Sequence, residues 1–345
     1  MNEQRYTYID IMKGIAICLV VMGHVLASCY SDFGEVLRNG TWDEMALWRF
    51  IYCFHMPLFM AISGFVAFNP TKNYSAKNVT KRLATYLLPY FFAGFLYGLY
   101  RNDLSLEKVM EQYWYFKTLS QYILIIFILM KLTDLLPIHD QKTKDCFVAL
   151  AFFFIGKIIF KFGQLLPDDA NIIDINHFAY FRFFLAGWLF RRFAFLDKIV
   201  SNIYCRLLCL SCFFAVMINQ LNTWGLFQYA AIIVVLNMSK ILDGKSSYTT
   251  WLLKQAGENT MIIYILHFFL LPNLPFIEYI FKDISSYGTM SAMLIMAMVS
   301  IPLTCGVIWI SLKIFSLLRN NPLIDTLLFG NINRIKELSV TKTRM

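Results

Sequence analysis

Ten apolar runs of similar length constrain this chain more than any other feature. They cover roughly residues 10–30, 46–68, 83–100, 119–136, 146–162, 178–195, 203–219, 224–241, 259–277 and 291–318. A run of about 20 apolar residues crosses the hydrocarbon of a bilayer as a helix, because a helix satisfies its backbone polar groups internally. Strands of a membrane barrel would alternate polar and apolar residues, and these runs do not. The expected fold is therefore all-α, a polytopic membrane protein of about ten transmembrane helices. With 58% hydrophobic and only 15% charged residues, the chain is far from the composition of a soluble domain. The connections are short and no repeat is visible. Residues 1–318 are expected to form one membrane-embedded domain, followed by a cytoplasmic tail at 319–345.

An even number of spans puts both termini on one side. With that side cytoplasmic, the segments facing it hold 22 of the 31 lysines and arginines. The opposite segments hold 8, and Arg182 lies within a run. Acidic residues divide almost evenly, 10 inside and 12 outside. This positive-inside pattern predicts an N-in, C-in arrangement. The net charge of +9 thus reflects topology, with anionic membrane lipid as a contact and no nucleic acid partner.

Eight cysteines give no disulfide framework, and Cys205, Cys209 and Cys212 share one helical stripe of an apolar run, as packing residues do. No metal site is expected. Leu26-Ala27-Ser28-Cys29 resembles a lipoprotein cleavage box after an apolar run, but nine further runs follow, and the segment is expected to be retained.

The ionisable residues inside the runs carry the chemistry. The first run reads KGIAICLVVMGH from Lys13 to His24. Eleven residues are almost three helical turns, so both side chains lie on one face about 16 Å apart along the axis. Asp10 falls near the same stripe. Such groups in a bilayer-spanning helix usually mark a pathway or reaction site. Asp10 and Lys13 also fit interfacial anchors, and His24 a packing residue. The orientation puts His24, His55, His177 and His267 in the outer half of the membrane. His55 and His267 can each be served by a carbonyl of their own helix, and His177 fits an interfacial residue. Arg182, mid-run, needs a carboxylate, carbonyls or water and indicates a polar cavity. His139 is expected in a cytoplasmic loop. On the inner side, Lys81 and Arg82 open the third run, and Arg191 and Arg192 close the sixth. Basic clusters there set topology and can also clamp phosphates. Phosphate-loop, zinc, dinucleotide and GxSxG signatures are absent.

These stretches together resemble the acyltransferase-3 family of bacterial membrane proteins, and more narrowly its fucose 4-O-acetylase-like branch. YIDIMKGIAICLVVMGHV is similar to the family's opening, in which a basic residue precedes a functional histidine by eleven positions. Lys13 stands where arginine is common, so bidentate binding is not available there. FHMPLFMAISGF matches the second block and KRLATYLLPY the third, although Thr85 replaces a second basic residue. WYFKTL, FRFFLAGWLFRR and GENTMIIYILH match later, more generic blocks. The resemblance covers about residues 5–320.

It implies transfer of an acyl group, usually acetyl, from cytosolic acyl-coenzyme A to a hydroxyl of a cell-surface or lipid-linked glycan at the bacterial plasma (inner) membrane. On that reading acetyl-CoA is the donor substrate. His24 is the general base or the acyl-carrying nucleophile. Asp10, Lys13, Lys81 and Arg82 line the donor side, and Arg182 and His55 polarise the carbonyl or place the acceptor. Trp42, Trp48 and Trp114 suit sugar stacking or an interfacial belt. A glycan or solute transporter or flippase is the competing class, and a non-catalytic scaffold is the second.

Overall fold

A computed structural model describes residues 6–334 apart from 31, 41–42, 71, 73, 106–110, 164–174, 220–224 and 287. Every regular element among them is helical. In chain order they are α1 (Thr7–Ser28), α2 (Phe33–Asn39), α3 (Ala46–Ala67), α4 (Ala76–Arg101), α5 (Trp114–Asp134), α6 (Gln141–Gly163), α7 (Ile175–Phe178) and α8 (Phe181–Arg192). Then follow α9 (Ala194–Ser201), α10 (Ile203–Asn219), α11 (Leu226–Asp243), α12 (Tyr248–Glu258), α13 (Thr260–Leu266), α14 (Ile277–Ser285), α15 (Thr289–Leu318) and α16 (Pro322–Phe329).

Seven of these, α1, α3, α4, α5, α6, α11 and α15, are long and apolar enough to cross a membrane, and the broken pair α9–α10 makes an eighth if it is one span. They correspond to seven of the ten apolar runs. The other three fall short for local reasons. The run at 178–195 gives only the 12-residue α8, which ends at Phe193 in an extended conformation. The run at 203–219 gives 17 residues. The run at 259–277 gives α13 and then a 3-10 turn, His267–Phe269. Pro272 and Pro275 follow, and a residue before proline is pushed out of the helical region.

Three helix starts carry capping side chains of the expected kind. Ser75 and Ser247 accept from backbone N–H groups at the starts of α4 and α12. Asn321 caps α16, Pro322 stands in its first turn, and Gly330 ends it at φ 66°. Part of the expected tail is therefore a capped helix, and residues 335–345 lie outside the described ones.

The chain divides into two compact units, 1–59 with 200–316 and 60–199 with 317–345. In the first, α1 packs on α11, α12 and α13. Pro57 within α3 has no N–H to donate to the Cys53 carbonyl one turn earlier. Gln228 of α11 donates to that oxygen instead, at 2.9 Å. A helix irregularity in an apolar setting is thus repaired by a side chain from its neighbour. In the second unit α4 packs on α5, α5 on α6, α6 on α8 and α16 on α4. Gly64 and Gly187 bring two helix backbones together there. A Cβ at Gly64 would lie 1.9 Å from the Phe184 oxygen, and one at Gly187 1.8 Å from that of Ala61.

Candidate active site

The first unit gathers three of the five histidines. Lys13 and His24 share one unbroken helix, so their axial separation of about 16 Å is that of regular α-helix. Gly23 precedes the histidine, and a Cβ there would stand 2.8 Å from Cε2 of Tyr52. Glycine therefore lets the Tyr52 ring lie against α1 beside His24. The His24 ring centre is 4.8 Å from that of Phe268, 5.2 Å from His267 and 6.3 Å from Tyr52. Tyr52 in turn lies 4.5 Å from His55 and stacks on Trp48 at 3.9 Å. One face of Trp48 is thereby occupied by a neighbouring ring. Trp42 lies outside the described residues.

His55 and His267 are both held by the turn beneath them. Nδ1 of His55 is 2.9 Å from the Ile51 oxygen, and Nδ1 of His267 is 3.0 Å from that of Ile263. A carbonyl only accepts, so each Nδ1 carries the proton and each Nε2 keeps a lone pair. The expected backbone bonds are present, and they set the tautomer. His24 differs. Its side chain is half-buried and forms no hydrogen bond among the described residues. An imidazole with both nitrogens uncommitted, walled by rings, can accept a proton from a bound hydroxyl or carry an acyl group.

Toward the start of α1, buried Asp10 lies 3.5 Å from half-buried Lys13. Thr7 and Lys254 both reach Asp243, at 2.5 and 2.8 Å, and tie this end of α1 to α11 and α12.

The remaining expected site residues belong to the second unit. Arg82 donates to the carbonyls of Ala67 and Val66, the latter at 3.2 Å, and so caps the end of α3. Two of its five donors are used in this way. Lys81 is exposed. Arg182 sits in the first turn of α8 with its guanidinium 4.8 Å from the Phe183 ring centre. Trp114 stacks on His177 at 3.8 Å and lies nearly parallel to Tyr180 at 5.7 Å, so at least one face of its ring is already covered. Arg192 forms a buried ion pair with Asp145 at 2.6 Å.

Sequence reasoning placed His267 in the same membrane half as His24 without assigning it to the site. Tyr52 and Phe268 carried no signal beyond hydrophobicity, because only packing brings them to His24.

A model of the acyltransferase domain matches residues 6–312, nearly the whole chain. The chain belongs to the acyltransferase-3 family. Among the described residues its regular elements are all helices, seven of them long and apolar enough to cross a membrane. Nodulation protein NolL of Sinorhizobium fredii (strain NBRC 101917 / NGR234) is 29% identical over 209 residues, covering 55% of this chain and 49% of that protein. Nodulation protein NolL of Mesorhizobium japonicum (strain LMG 29417 / CECT 9101 / MAFF 303099) is 38% identical over 95 residues, 26% of this chain and 23% of the relative. The alignment thus spans at most about half the length of these curated relatives. No solved structure matches the chain.

Proposed function

We propose that this protein moves an acyl group, best represented by acetyl, from cytosolic acyl-coenzyme A to a hydroxyl of a cell-surface or lipid-linked glycan in the bacterial inner membrane. The observation that carries the reading is the imidazole of His24, half-buried among rings and without a hydrogen bond among the described residues, in a chain of this family. His24 takes the proton of the acceptor hydroxyl as its oxygen attacks the thioester carbonyl. Collapse of the tetrahedral adduct breaks the C–S bond. The coenzyme A sulfur leaves and recovers the proton from the imidazolium, so the base is regenerated. Lys13, paired with Asp10, serves the donor end, and Lys81 and Arg82 offer further cationic contacts for its phosphates. His55 and Arg182 act on the acceptor side. In this reading the basic segments face the cytoplasm, where the donor is made, with both termini inside.

The test uses the purified full chain in lipid nanodiscs with acetyl-CoA, and mass spectrometry of surface glycans from wild-type and deletion strains. Release of coenzyme A thiol and loss of an acyl mass from one glycan in the deletion strain are expected. Unchanged glycans, together with no thiol release above a protein-free control, would overturn the proposal and favour transport or scaffolding.

A further inference from the structure

We propose that His267 is a positioning residue for His24, its Nε2 accepting a hydrogen bond from one ring nitrogen of His24 so that the other is left as the reactive lone pair. The proposal rests on the acyl-transfer reading for its catalytic meaning and on geometry for the bond itself.

His267 is fully buried. Its Nδ1–H is committed to the Ile263 carbonyl, so Nε2 is an acceptor. That atom has no hydrogen-bond partner among the described residues. A buried acceptor without a donor is costly, and native structures rarely leave one without a reason. Of the neighbouring rings, Tyr264 lies in the preceding turn at 5.9 Å, and the nearer one able to donate is His24, whose centre is 5.2 Å away at an interplanar angle of 42°. Two imidazoles joined by an N–H···N bond of about 2.9 Å have centres roughly 5 Å apart. The separation is therefore already that of a bonded pair, and the bond requires the His24 ring to turn one nitrogen toward Nε2. Phe268 packs against both rings, 3.9 Å from His267 and 4.8 Å from His24.

A neutral imidazole exists as two tautomers, and a general base needs its lone pair aimed at the substrate. An acceptor on one side selects the tautomer whose proton points to it. The same acceptor stabilises the imidazolium that forms when His24 takes the hydroxyl proton. A carboxylate does this in hydrolase triads. A neutral histidine does it here without placing an anion among apolar helices, where desolvation is costly. His55 is built alike on its own carbonyl and packs on Tyr52, and unlike that of His267 its Nε2 is not among the buried atoms without a hydrogen-bond partner.

The experiment compares His267→Phe and His267→Gln with the parent and with His24→Ala, as full chains in nanodiscs. Phenylalanine fills the ring volume without a lone pair. Glutamine returns an acceptor near the Nε2 position. Two readouts are taken: steady-state acyl transfer, and the rate of His24 carbethoxylation by diethyl pyrocarbonate, followed by mass spectrometry. The Phe variant should lose roughly ten-fold or more in kcat with the KM for acetyl-CoA unchanged, the size of a lost neutral hydrogen bond plus misorientation. Carbethoxylation of His24 should slow in parallel, and the Gln variant should recover part of both. Carbethoxylation at the parental rate in the Phe variant would overturn the inference, as would equal kcat in the Phe variant and the parent. If the parent transfers no acyl group, the enzymatic reading fails by itself, and the carbethoxylation comparison still decides whether His267 bonds His24.

Discussion

Gly257 touches the backbone of Asp10: a Cβ on this glycine would stand 1.7 Å from the Asp10 carbonyl oxygen. Gly14 completes the contact from the other side, with a Cβ there falling 2.0 Å from the Leu253 oxygen. Two glycines thus let α1 and α12 approach backbone to backbone, and the approach fixes where Asp10 and Lys13 lie on their helix pair. The glycine that opens GENTMIIYILH serves packing, and the histidine that closes it lies beside His24.

Substitution at this contact is expected to damage folding. Gly257→Leu forces a side chain into a neighbouring carbonyl and should cost about 1–3 kcal/mol or more. A Cβ at Gly306 in α15 meets nothing within 4 Å. Gly306→Ala should therefore be neutral or stabilising by up to about 1 kcal/mol, the helix-propensity difference. Thermal unfolding of detergent-purified protein, followed by size-exclusion chromatography, compares the two; equal loss in both would refute the packing account.

His24→Ala should accumulate in the membrane at the parental level, since alanine is a good helix former. Acyl transfer should nevertheless drop by ~10²–10⁴, the usual contribution of a general base. His24→Gln keeps hydrogen bonding but cannot take a proton near neutrality, and should be nearly as inactive. Immunoblotting paired with glycan mass spectrometry measures both; full acylation by His24→Ala would remove this residue from the mechanism.

Lys13 and Arg82 should respond differently. Lys13→Ala is expected to weaken acetyl-CoA binding about ten- to a hundred-fold, as loss of a charged contact of roughly 1.5–3 kcal/mol implies, and Lys13→Arg should retain more. Arg82→Ala removes a cap from two α3 carbonyls and should lower thermal stability first. Arg82→Lys should restore only part, because an ammonium lacks the planar fork. Calorimetric titration beside thermal unfolding separates the effects. An Arg82→Ala protein as stable as the parent but unable to bind the donor would leave the guanidinium its phosphate contact alone and refute the cap.

The Asp145–Arg192 pair is almost fully buried, at 6% and 2% side-chain exposure. Removing one partner strands a charge and should cost about 3–5 kcal/mol in Asp145→Ala. The double change Asp145→Leu with Arg192→Met should be far milder, since replacing both charges with apolar groups is often neutral. A double-mutant cycle on unfolding midpoints checks this; additive losses would mean the two charges do not depend on each other.

Orientation can be read by cysteine labelling. All eight native cysteines are free, so a cysteine-free background is needed. Single cysteines at Lys77 and Lys245 should react only from the cytoplasmic side, and one at Asp43 only from outside. Reaction of positions 77 and 43 with the same membrane-impermeant reagent in intact cells would defeat the N-in, C-in arrangement.

The helical class, the apolar helices and the family were all legible in the residues, because each depends on local patterns. An apolar run needs only its own length to become a helix, and the Lys13–His24 spacing is a property of one helix. What length alone could not decide is how far each run stays helical. The run at 259–277 passes at His267 into a 3-10 turn, and Pro272 and Pro275 follow. The roles of Arg82 and Trp114 were equally out of reach. A cation beside a helix end looks the same in sequence whether it binds a phosphate or caps a carbonyl, and a tryptophan looks the same whether it is open to a sugar or stacked on a histidine. The cluster around His24 belongs wholly to tertiary structure. Tyr52, His267 and Phe268 come from stretches separated by up to some two hundred residues, and glycines at 14, 23 and 257 let the helices close enough for those rings to meet. Residue type set what each group can do, and only close packing between helices decided which groups act together.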